Sequence, residues 1–309
     1  MNMIRNLKYA ILYSFLFMAS VPFFTSCGED DLEDSKFKKM TVKRNEFDNW
    51  LLENYVRPYN IDLKYQLEDI ETDMSYNLVP AELDKAKEMA KLVKHLWLEA
   101  YDEVCGETFM KENGPRIINL IGSSAVNPDS KTEVLGTADK GLKVTLYKIN
   151  SLDKTNIELL NLYYFRTMHH EFAHILHQTK NYPTEFNEIS VSNYSPTGWM
   201  NRTNVQAQRM GFVGNYASSE AREDFVEVIA NYLTRTDADW NEILRQATFT
   251  DQEANDGLPD VQDTGTGNGK TIILSKLKIA REWLKTVWNI DIDKLRAAIA
   301  RRSTELDSL

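Results

Sequence analysis

The stretch of residues 169–177 reads HHEFAHILH and holds four of the five histidines of this 309-residue chain. It contains the pattern HExxH, formed by His170, Glu171 and His174. On a helix this spacing places the two imidazoles one turn apart on one face, where both can bind a single zinc ion. Glu171 is then placed to handle a proton of a water molecule at that ion. The stretch therefore predicts a zinc-binding helix.

The residues around the motif favour a helix with one buried face. With His170 set at zero and about 100° per residue, His174 lies near 40° and His177 near 340°. Apolar residues gather on the opposite side of this wheel, namely Phe165, Met168, Phe172, Ile175 and Leu176. Residues 156–166 continue the pattern without Pro or Gly, so the motif should lie in the second half of a long amphipathic helix. The simpler interpretation is a surface helix that happens to be rich in histidine.

A catalytic zinc site needs a third protein ligand and an open position. An extension of the motif to HExxHxxGxxH is excluded, because His177 and Lys180 occupy the Gly position and the third His position. The alternative is a Glu on a second helix, and His177 on the same face is a further, less favoured candidate.

An acidic stripe downstream offers that Glu. Glu220, Glu223 and Glu227 fall on one face of a predicted helix, which Ser218 or Ser219 could cap at its N-terminus. Taken alone, such a stripe is usually a solvent-exposed face. Together with HExxH, it predicts Glu223 as the third ligand and Glu227 as the acceptor for the free N–H of a liganding His.

The pairing of HEFAH at 170–174 with Tyr216 and EDFVE at 223–227 resembles a family of Bacteroidetes proteins, the substrate import-associated zinc metallohydrolase lipoproteins. These are gluzincin-like zinc-binding metallopeptidases, and the same spacing is similar to the catalytic domain of anthrax lethal factor. The resemblance implies an α+β, zincin-like fold with a small mixed sheet, the HExxH helix and a mostly helical C-terminal part. It also implies roles for five residues: His170, His174 and Glu223 as Zn²⁺ ligands, Glu171 as general base and Tyr216 as a hydroxyl donor near the metal.

The N-terminus reads as a secretory signal peptide over residues 1–26. Arg5 and Lys8 precede an apolar run at 9–24 that is too short for a transmembrane helix. Thr-Ser-Cys at 25–27 resembles a bacterial lipobox, in which Cys27 is lipidated and anchors the chain to a membrane. The simpler interpretation is a plain signal peptide with an incidental cysteine.

An acidic stretch follows the cysteine. Residues 28–34 read GEDDLED and resemble the surface-export signal of Bacteroidetes lipoproteins, although a solvated tether is the simpler interpretation. We therefore expect an outer-membrane lipoprotein exposed at the cell surface, with residues 27–40 forming the lipidated Cys and its tether. Residues 41–309 are predicted to be the zincin-like catalytic domain, with an α/β part at 41–150 and a helical part at 151–309 that carries the HExxH motif and the ligand Glu.

Charge and cysteine content narrow the function. A net charge of −10 argues against nucleic acid as a partner, because nucleic-acid sites are basic. If Cys27 is lipidated, Cys105 is the only free thiol and no internal disulfide can form. We interpret Cys105 as a small buried hydrophobe.

Sequence patterns predict further elements: helices over 45–55, 80–105 and within 271–303, and strands over 61–68, 116–122 and 141–149. The strand at 141–149 is the candidate for an edge strand that pairs with an extended substrate, and an interior strand is the alternative. Residues 182–214 show no clear helix and are expected to frame the cleft, with Trp199 either at the cleft or in the core.

The expected chemistry is hydrolysis of peptides or glycoproteins. Glu171 takes a proton from water and passes it to the leaving amine, while Tyr216 stabilises the oxyanion, with a spare histidine as a second candidate. His177 is expected beside the ligands and not among them, and His169 is expected to be structural. The resemblance implies a role in nutrient import, with components of a TonB-dependent importer as candidate partners.

Two alternatives remain open from the sequence. The chain could be a non-catalytic substrate-binding lipoprotein of an outer-membrane import system, with a structural or vestigial zinc site. The presence of Glu171 argues against this, because a structural zinc ion needs no base. The chain could also be a zinc hydrolase whose scissile bond is not a peptide bond.

Overall fold

The computed structural model describes residues 44–68, 76–126, 133–134, 136–139, 142–248 and 268–306. Residues Arg44–Leu309 form one compact unit. The predicted signal peptide, Cys27 and the acidic tether lie outside the described residues, so these and the domain boundaries stay predictions. Within the described ranges, no helix is long and apolar enough to cross a membrane.

A small mixed sheet forms the N-terminal half of the fold. The strands are β1 (Asp62–Lys64), β2 (Ile117–Leu120), β3 (Ala125–Val126), β4 (Glu133–Val134), β5 (Gly136–Asp139) and β6 (Lys143–Leu146). Four of them pair in the order β1-β2-β6-β5, with the first three parallel and β5 antiparallel to β6, while β3 and β4 form a separate antiparallel pair. Ile118 of β2 pairs with Leu63 on one side and Val144 on the other, and all three are buried. These strands supply the apolar floor on which the helices pack.

The strand predicted at 141–149 is β6, and it is an interior strand. It pairs with β2 on one side and with β5 on the other, so the edge-strand interpretation was wrong and its alternative is correct. The edge strand is β5, whose sequence Gly-Thr-Ala-Asp at 136–139 has little β-propensity. β-Propensity therefore did not predict β5, the strand at this edge of the sheet.

The remaining residues are mostly helical. The helices are α1 (Glu46–Leu51, then a π turn Leu52–Val56 and Arg57–Tyr59), α2 (Leu83–Val93, a π turn Lys94–Leu98 and Glu99–Cys105), α3 (Phe109–Asn113), α4 (Ile157–Leu160, a π turn Asn161–Phe165 and Arg166–Thr179), α5 (Glu185–Ile189), α6 (Asn204–Arg209), α7 (Ala221–Thr234), α8 (Asp237–Gln246), α9 (Gly269–Trp288) and α10 (Ile292–Arg302). Short 3-10 turns cover Ile149–Ser151, Trp199–Asn201 and Tyr216–Ser218. The predicted α+β class, with a helical C-terminal part, is confirmed.

The HExxH motif lies in the second half of α4, as predicted. Asn156 begins this helix by accepting a hydrogen bond from the backbone N–H of Leu159, at 3.1 Å. Phe165, Met168 and Phe172 are buried on its inner face. The helix also lies against the edge strand β5. The motif is therefore held between the sheet and the helices that follow.

Helix α7 carries the acidic stripe and is buried on nearly all sides. It packs between α4, α9 and α10, and Phe225 at its centre stacks on Tyr182 at 4.1 Å between ring centroids. The predicted serine cap is wrong. Glu220 takes the N-cap position without a side-chain hydrogen bond, and the Ser218 hydroxyl instead donates to the carbonyl of Asn215 within the preceding 3-10 turn.

The segment at 182–214 contains more helix than predicted. It includes α5, the 3-10 turn at Trp199–Asn201 and α6. These pieces are too short for hydrophobic periodicity to show them. One local signal was missed: Thr203 and Gln206 form a reciprocal capping box at the start of α6.

Candidate metal centre

Three predicted ligands meet between α4 and α7. The Nε2 atoms of His170 and His174 are 3.2 Å apart. Glu223 lies beside both, with Oε2 at 3.2 Å from Nε2 of His170 and Oε1 at 3.4 Å from Nε2 of His174. In tetrahedral coordination with bonds of about 2.0–2.1 Å, neighbouring ligand atoms are about 3.3 Å apart. Each of the three separations is close to this value, with a different oxygen of Glu223 facing each histidine, and one ligand atom from each residue lies within 4.8 Å of the others.

The polar atoms of the cluster also fit a cation. Oε2 of Glu223 is buried and has no hydrogen-bond partner among the described residues. Burial disfavours the charged form of His170, but Glu223 and Glu227 outweigh it and raise its pKa to about 10. Two nitrogens and a carboxylate that face one another need a positive charge between them, and this donor set is one that Zn²⁺ prefers. Their assignment as ligands stays a prediction.

Glu227 orients the first histidine. Its Oε1 lies 2.8 Å from Nδ1 of His170, so a proton on Nδ1 is donated to Glu227, and Nε2 faces the predicted metal position. Asn231 donates from Nδ2 to Oε2 of the same carboxylate at 3.0 Å. Burial raises the pKa of Glu227, but the hydrogen bond from His170 and the charge of Arg166 hold it near 2. This buried, ionised carboxylate occupies the position predicted for it.

His177 orients the second histidine. Its Nε2 lies 2.8 Å from Nδ1 of His174. Burial and the neighbouring His174 lower the pKa of His177 to about 4, so its imidazole is neutral and can accept a hydrogen bond. His177 does not belong to the cluster of His170, His174 and Glu223. It lies beside the ligands, where the sequence placed it.

The two predicted catalytic side chains flank the cluster. Burial raises the pKa of Glu171, while His170 and His174 beside it act in the opposite direction. The ring of Tyr216 lies 6.0 Å from that of His170, and burial and the adjacent Glu223 carboxylate raise the pKa of its hydroxyl. Tyr216 nevertheless remains 39% exposed, so it reaches solvent from the edge of the metal site.

A family model described as "Putative zinc-binding metallo-peptidase" matches residues 39–293 of this chain. The chain belongs to this family of zinc-binding metallopeptidases. A crystal structure described as a "putative zinc-binding metallo-peptidase" from Bacteroides caccae ATCC 43185 is 48% identical to it, with a TM-score of 0.71 over 85% of this chain and 93% of that one. No curated protein matches the chain. The family and the donor set agree on zinc.

Two further side chains differ in their position relative to the metallopeptidase site. Trp199 is half-buried and contacts Tyr216 edge to face, at 5.0 Å between ring centroids, so it lies on the cleft side of the fold. His169 points to the opposite side of α4, is 1% exposed and lies 3.2 Å from the hydroxyl of Tyr101. Burial lowers the pKa of His169 to about 3, which fits a structural histidine.

A buried ion pair next to the ligand Glu was missed in the sequence of this metallopeptidase. Nζ of Lys276 in α9 lies 2.6 Å from Oδ2 of Asp224, and both side chains are fully buried. Tyr194 donates to the same carboxylate at 2.8 Å, and Lys276 also donates to the carbonyl of Gly211 at 2.7 Å. The contacts tie the segment before α7 to the helix that carries Glu223. One signal was available: Lys276 falls on the apolar face of α9, four residues before Ala280.

Proposed function

We propose that this protein is a zinc-dependent peptidase of the gluzincin type that uses Glu171 as its general base. The observation that carries the proposal is the convergence of His170, His174 and Glu223, with Glu171 and Tyr216 beside them. A structural zinc site is normally closed by four protein ligands. Among the described His, Cys, Asp and Glu side chains only three converge here, which leaves a position for water or substrate.

Each side chain has a role in such a reaction. Zinc, when bound, lowers the pKa of a coordinated water to about 7 and polarises the scissile carbonyl. Glu171 accepts the proton of the attacking water and delivers it to the leaving amine. Its raised pKa favours this shuttling, because the carboxyl takes up a proton more readily than an exposed one. The Tyr216 hydroxyl keeps its proton at neutral pH and donates a hydrogen bond to the developing oxyanion.

The edge strand β5 supports an extended peptide as the substrate. Among the described strands it pairs only with β6, and α4 lies against it. An extended chain can therefore add to its open side by main-chain hydrogen bonds, as peptides do on sheet edges. A segment bound in this way lies next to the helix that carries His170 and Glu171. Peptides and the protein part of glycoproteins are the proposed substrates.

The test combines metal content with turnover. Wild-type protein should contain about one zinc ion and cleave denatured protein or mucin-like glycopeptides at internal peptide bonds. Glu223→Ala should lose both properties, whereas Glu171→Gln should keep the metal and lose turnover. Glu220→Gln is the matched control, because this exposed acid three residues before Glu223 should change neither.

The outcomes separate the alternatives. Stoichiometric zinc without cleavage of any of these substrates would favour the non-catalytic binding lipoprotein. Cleavage by Glu171→Gln at the wild-type rate would refute the mechanism. New amino termini in the products distinguish peptide-bond hydrolysis from cleavage of a glycan.

We further propose that a lipid on Cys27 anchors the protein to the outer membrane. The protein would face the outside of the cell and work with a TonB-dependent importer. The lipobox-like sequence at 25–27 and the acidic residues at 28–34 support this. Cys27→Ala should move the protein from the membrane fraction to the soluble fraction. Protease added to intact cells should remove the wild-type protein if it is surface-exposed, and its survival would place it on the inner side of the membrane.

A further inference from the structure

A line of polar contacts leads from the metal centre to the far end of the groove between α4 and α7. His174 lies near Glu223 and His170 near Glu227, so the two helices run antiparallel. One turn further on, Asn231 donates to Glu227 at 3.0 Å. The next turn of α7 ends at Arg235, whose Nε donates to Oδ1 of Asn231 at 3.4 Å.

A second arginine lies beside this line. Arg166 is one turn before His170 on α4, and its positive charge acts both on Glu227 and on Arg235. The Arg166 side chain makes no hydrogen bond or ion pair with any residue that the structure describes. Arg235 makes no ion pair within those residues either, and its only side-chain hydrogen bond is the one to Asn231.

Both arginines line a cavity of about 740 Å³. A third, Arg296, lies on the same wall, but it pairs with Asp237 at 3.1 Å and stacks over the Tyr232 ring at 4.4 Å. The other carboxylates at the cavity are Glu158, Asp239 and Asp293. Asp239 is held by the Thr236 hydroxyl at 2.7 Å, and Asp293 by Arg281 at 2.9 Å. None of the described acids lies within ion-pair distance of Arg166 or Arg235.

Two positive guanidinium groups in one cavity repel each other, and a bound anion would reduce this repulsion. Burial lowers the pKa of Arg235 and the neighbouring Arg166 lowers it further, while the more distant charges of Asp239 and Glu227 act in the opposite direction. A guanidinium presents planar, paired donors that fit the oxygens of a carboxylate, sulfate or phosphate. Thr234, Thr236 and Asn161 add neutral polar groups to the same wall.

We propose that Arg166 and Arg235 form a binding site for a small oxyanion, coupled to the zinc centre through Asn231 and Glu227. Asn231 contacts both Arg235 and Glu227, and Glu227 contacts Nδ1 of His170, so an anion that fixes Arg235 also fixes the side chains that orient this histidine. A histidine held in the right orientation binds zinc more tightly. By linkage, zinc must then strengthen anion binding by the same factor. The anion site stands on the cavity alone, whereas the coupling also rests on the proposed zinc site.

Titration calorimetry with inorganic sulfate on the metal-free protein tests the site directly. Chloride keeps the ionic strength constant, and the absence of metal prevents sulfate from ligating zinc. We expect one site per chain, with affinity lowered about tenfold or more in Arg166→Gln and in Arg235→Gln, because each loses charge-assisted hydrogen bonds. Arg245→Gln, an exposed arginine outside the cavity, is the control and should bind like the wild type.

Two results would overturn the site: no sulfate binding by the wild type, or equal binding by all four proteins. Circular dichroism checks that the variants fold, and Arg166→Lys provides a charge-conserving version that should retain part of the affinity. For the coupling, zinc affinity is measured by competition with a chelating dye, with and without sulfate. A gain of about fivefold or more in the wild type, lost in Arg235→Gln, is expected. Unchanged zinc affinity with sulfate bound would refute the coupling. This test needs no measurement of turnover, so its result is independent of the proposed peptidase activity.

Discussion

Nε2 of His177 lies 2.8 Å from Nδ1 of the predicted metal ligand His174, within hydrogen-bond distance. Nδ1 of the other histidine of the motif, His170, faces the Glu227 carboxylate in the equivalent place. Each imidazole thus has a partner at Nδ1, and its Nε2 faces the predicted metal position. His177 is neutral and lies on the same helix as His174, so its contact is weaker than that of the Glu227 carboxylate with His170.

The contact predicts that His177→Ala weakens zinc binding by about 10–100-fold, because an unsupported His174 loses its fixed orientation. His177→Gln should retain most of the affinity, since its side-chain carbonyl can accept from the same N–H. Competition with a chelating dye measures both. Wild-type affinity in His177→Ala would mean that the His174–His177 contact contributes nothing to the metal site.

The sequence was informative about this site because most of its residues lie close together in the chain. HExxH fixes His170 and His174 by helical spacing alone, and the same wheel placed His177 on their face. Helical spacing alone could not show that His177 would contact His174 and stay outside the cluster, because both positions lie on the same face. Glu223 required a contact between distant segments, and only its pairing with the motif singled it out.

What the sequence missed depends on packing between distant residues. The edge strand β5 forms by pairing with β6 despite a sequence with weak β-propensity. The acidic stripe of α7 resembles a solvated face by its composition, and the sequence did not show that three helices cover it. The pairing of Asp224 with Lys276 joins residues more than fifty positions apart, and no local pattern specifies such a partner.

Zinc binding should release protons, and its affinity should rise with pH. Glu223 and Glu227 raise the pKa of His170 to about 10, so this imidazole carries a proton at neutral pH that the metal must displace. We expect about one proton released from His170 near pH 7, and an apparent affinity that rises about tenfold per pH unit between about pH 7 and 9. Calorimetry in buffers of different ionisation enthalpy counts the protons. Glu227→Gln removes one of the carboxylates, so its pH dependence should be shallower, and an unchanged slope would contradict the assigned cause.

Tyr216→Phe should separate metal binding from catalysis. The hydroxyl lies beside Glu223 but is not one of the three converging donors, so zinc content should remain about one per chain. Loss of an oxyanion donor lowers kcat by about 10²–10³-fold and has less effect on KM. Steady-state kinetics on a cleaved peptide gives both constants. A matched loss of zinc would instead make Tyr216 a support for Glu223.

Lys276→Met should destabilise the fold far more than an exposed lysine substitution on the same helix. It leaves Asp224 buried with only the Tyr194 hydroxyl to compensate its charge, and breaking a buried pair from one side costs about 3–5 kcal/mol. Lys278→Met removes a mostly exposed lysine from α9 and should change the unfolding free energy by less than about 0.5 kcal/mol. In the double variant Asp224→Asn/Lys276→Met no charge is left unpaired, so part of the loss should be recovered. Denaturant unfolding of the metal-free proteins measures these unfolding free energies. If the loss in the double variant equals the sum of the losses in Asp224→Asn and Lys276→Met, the two charges do not interact.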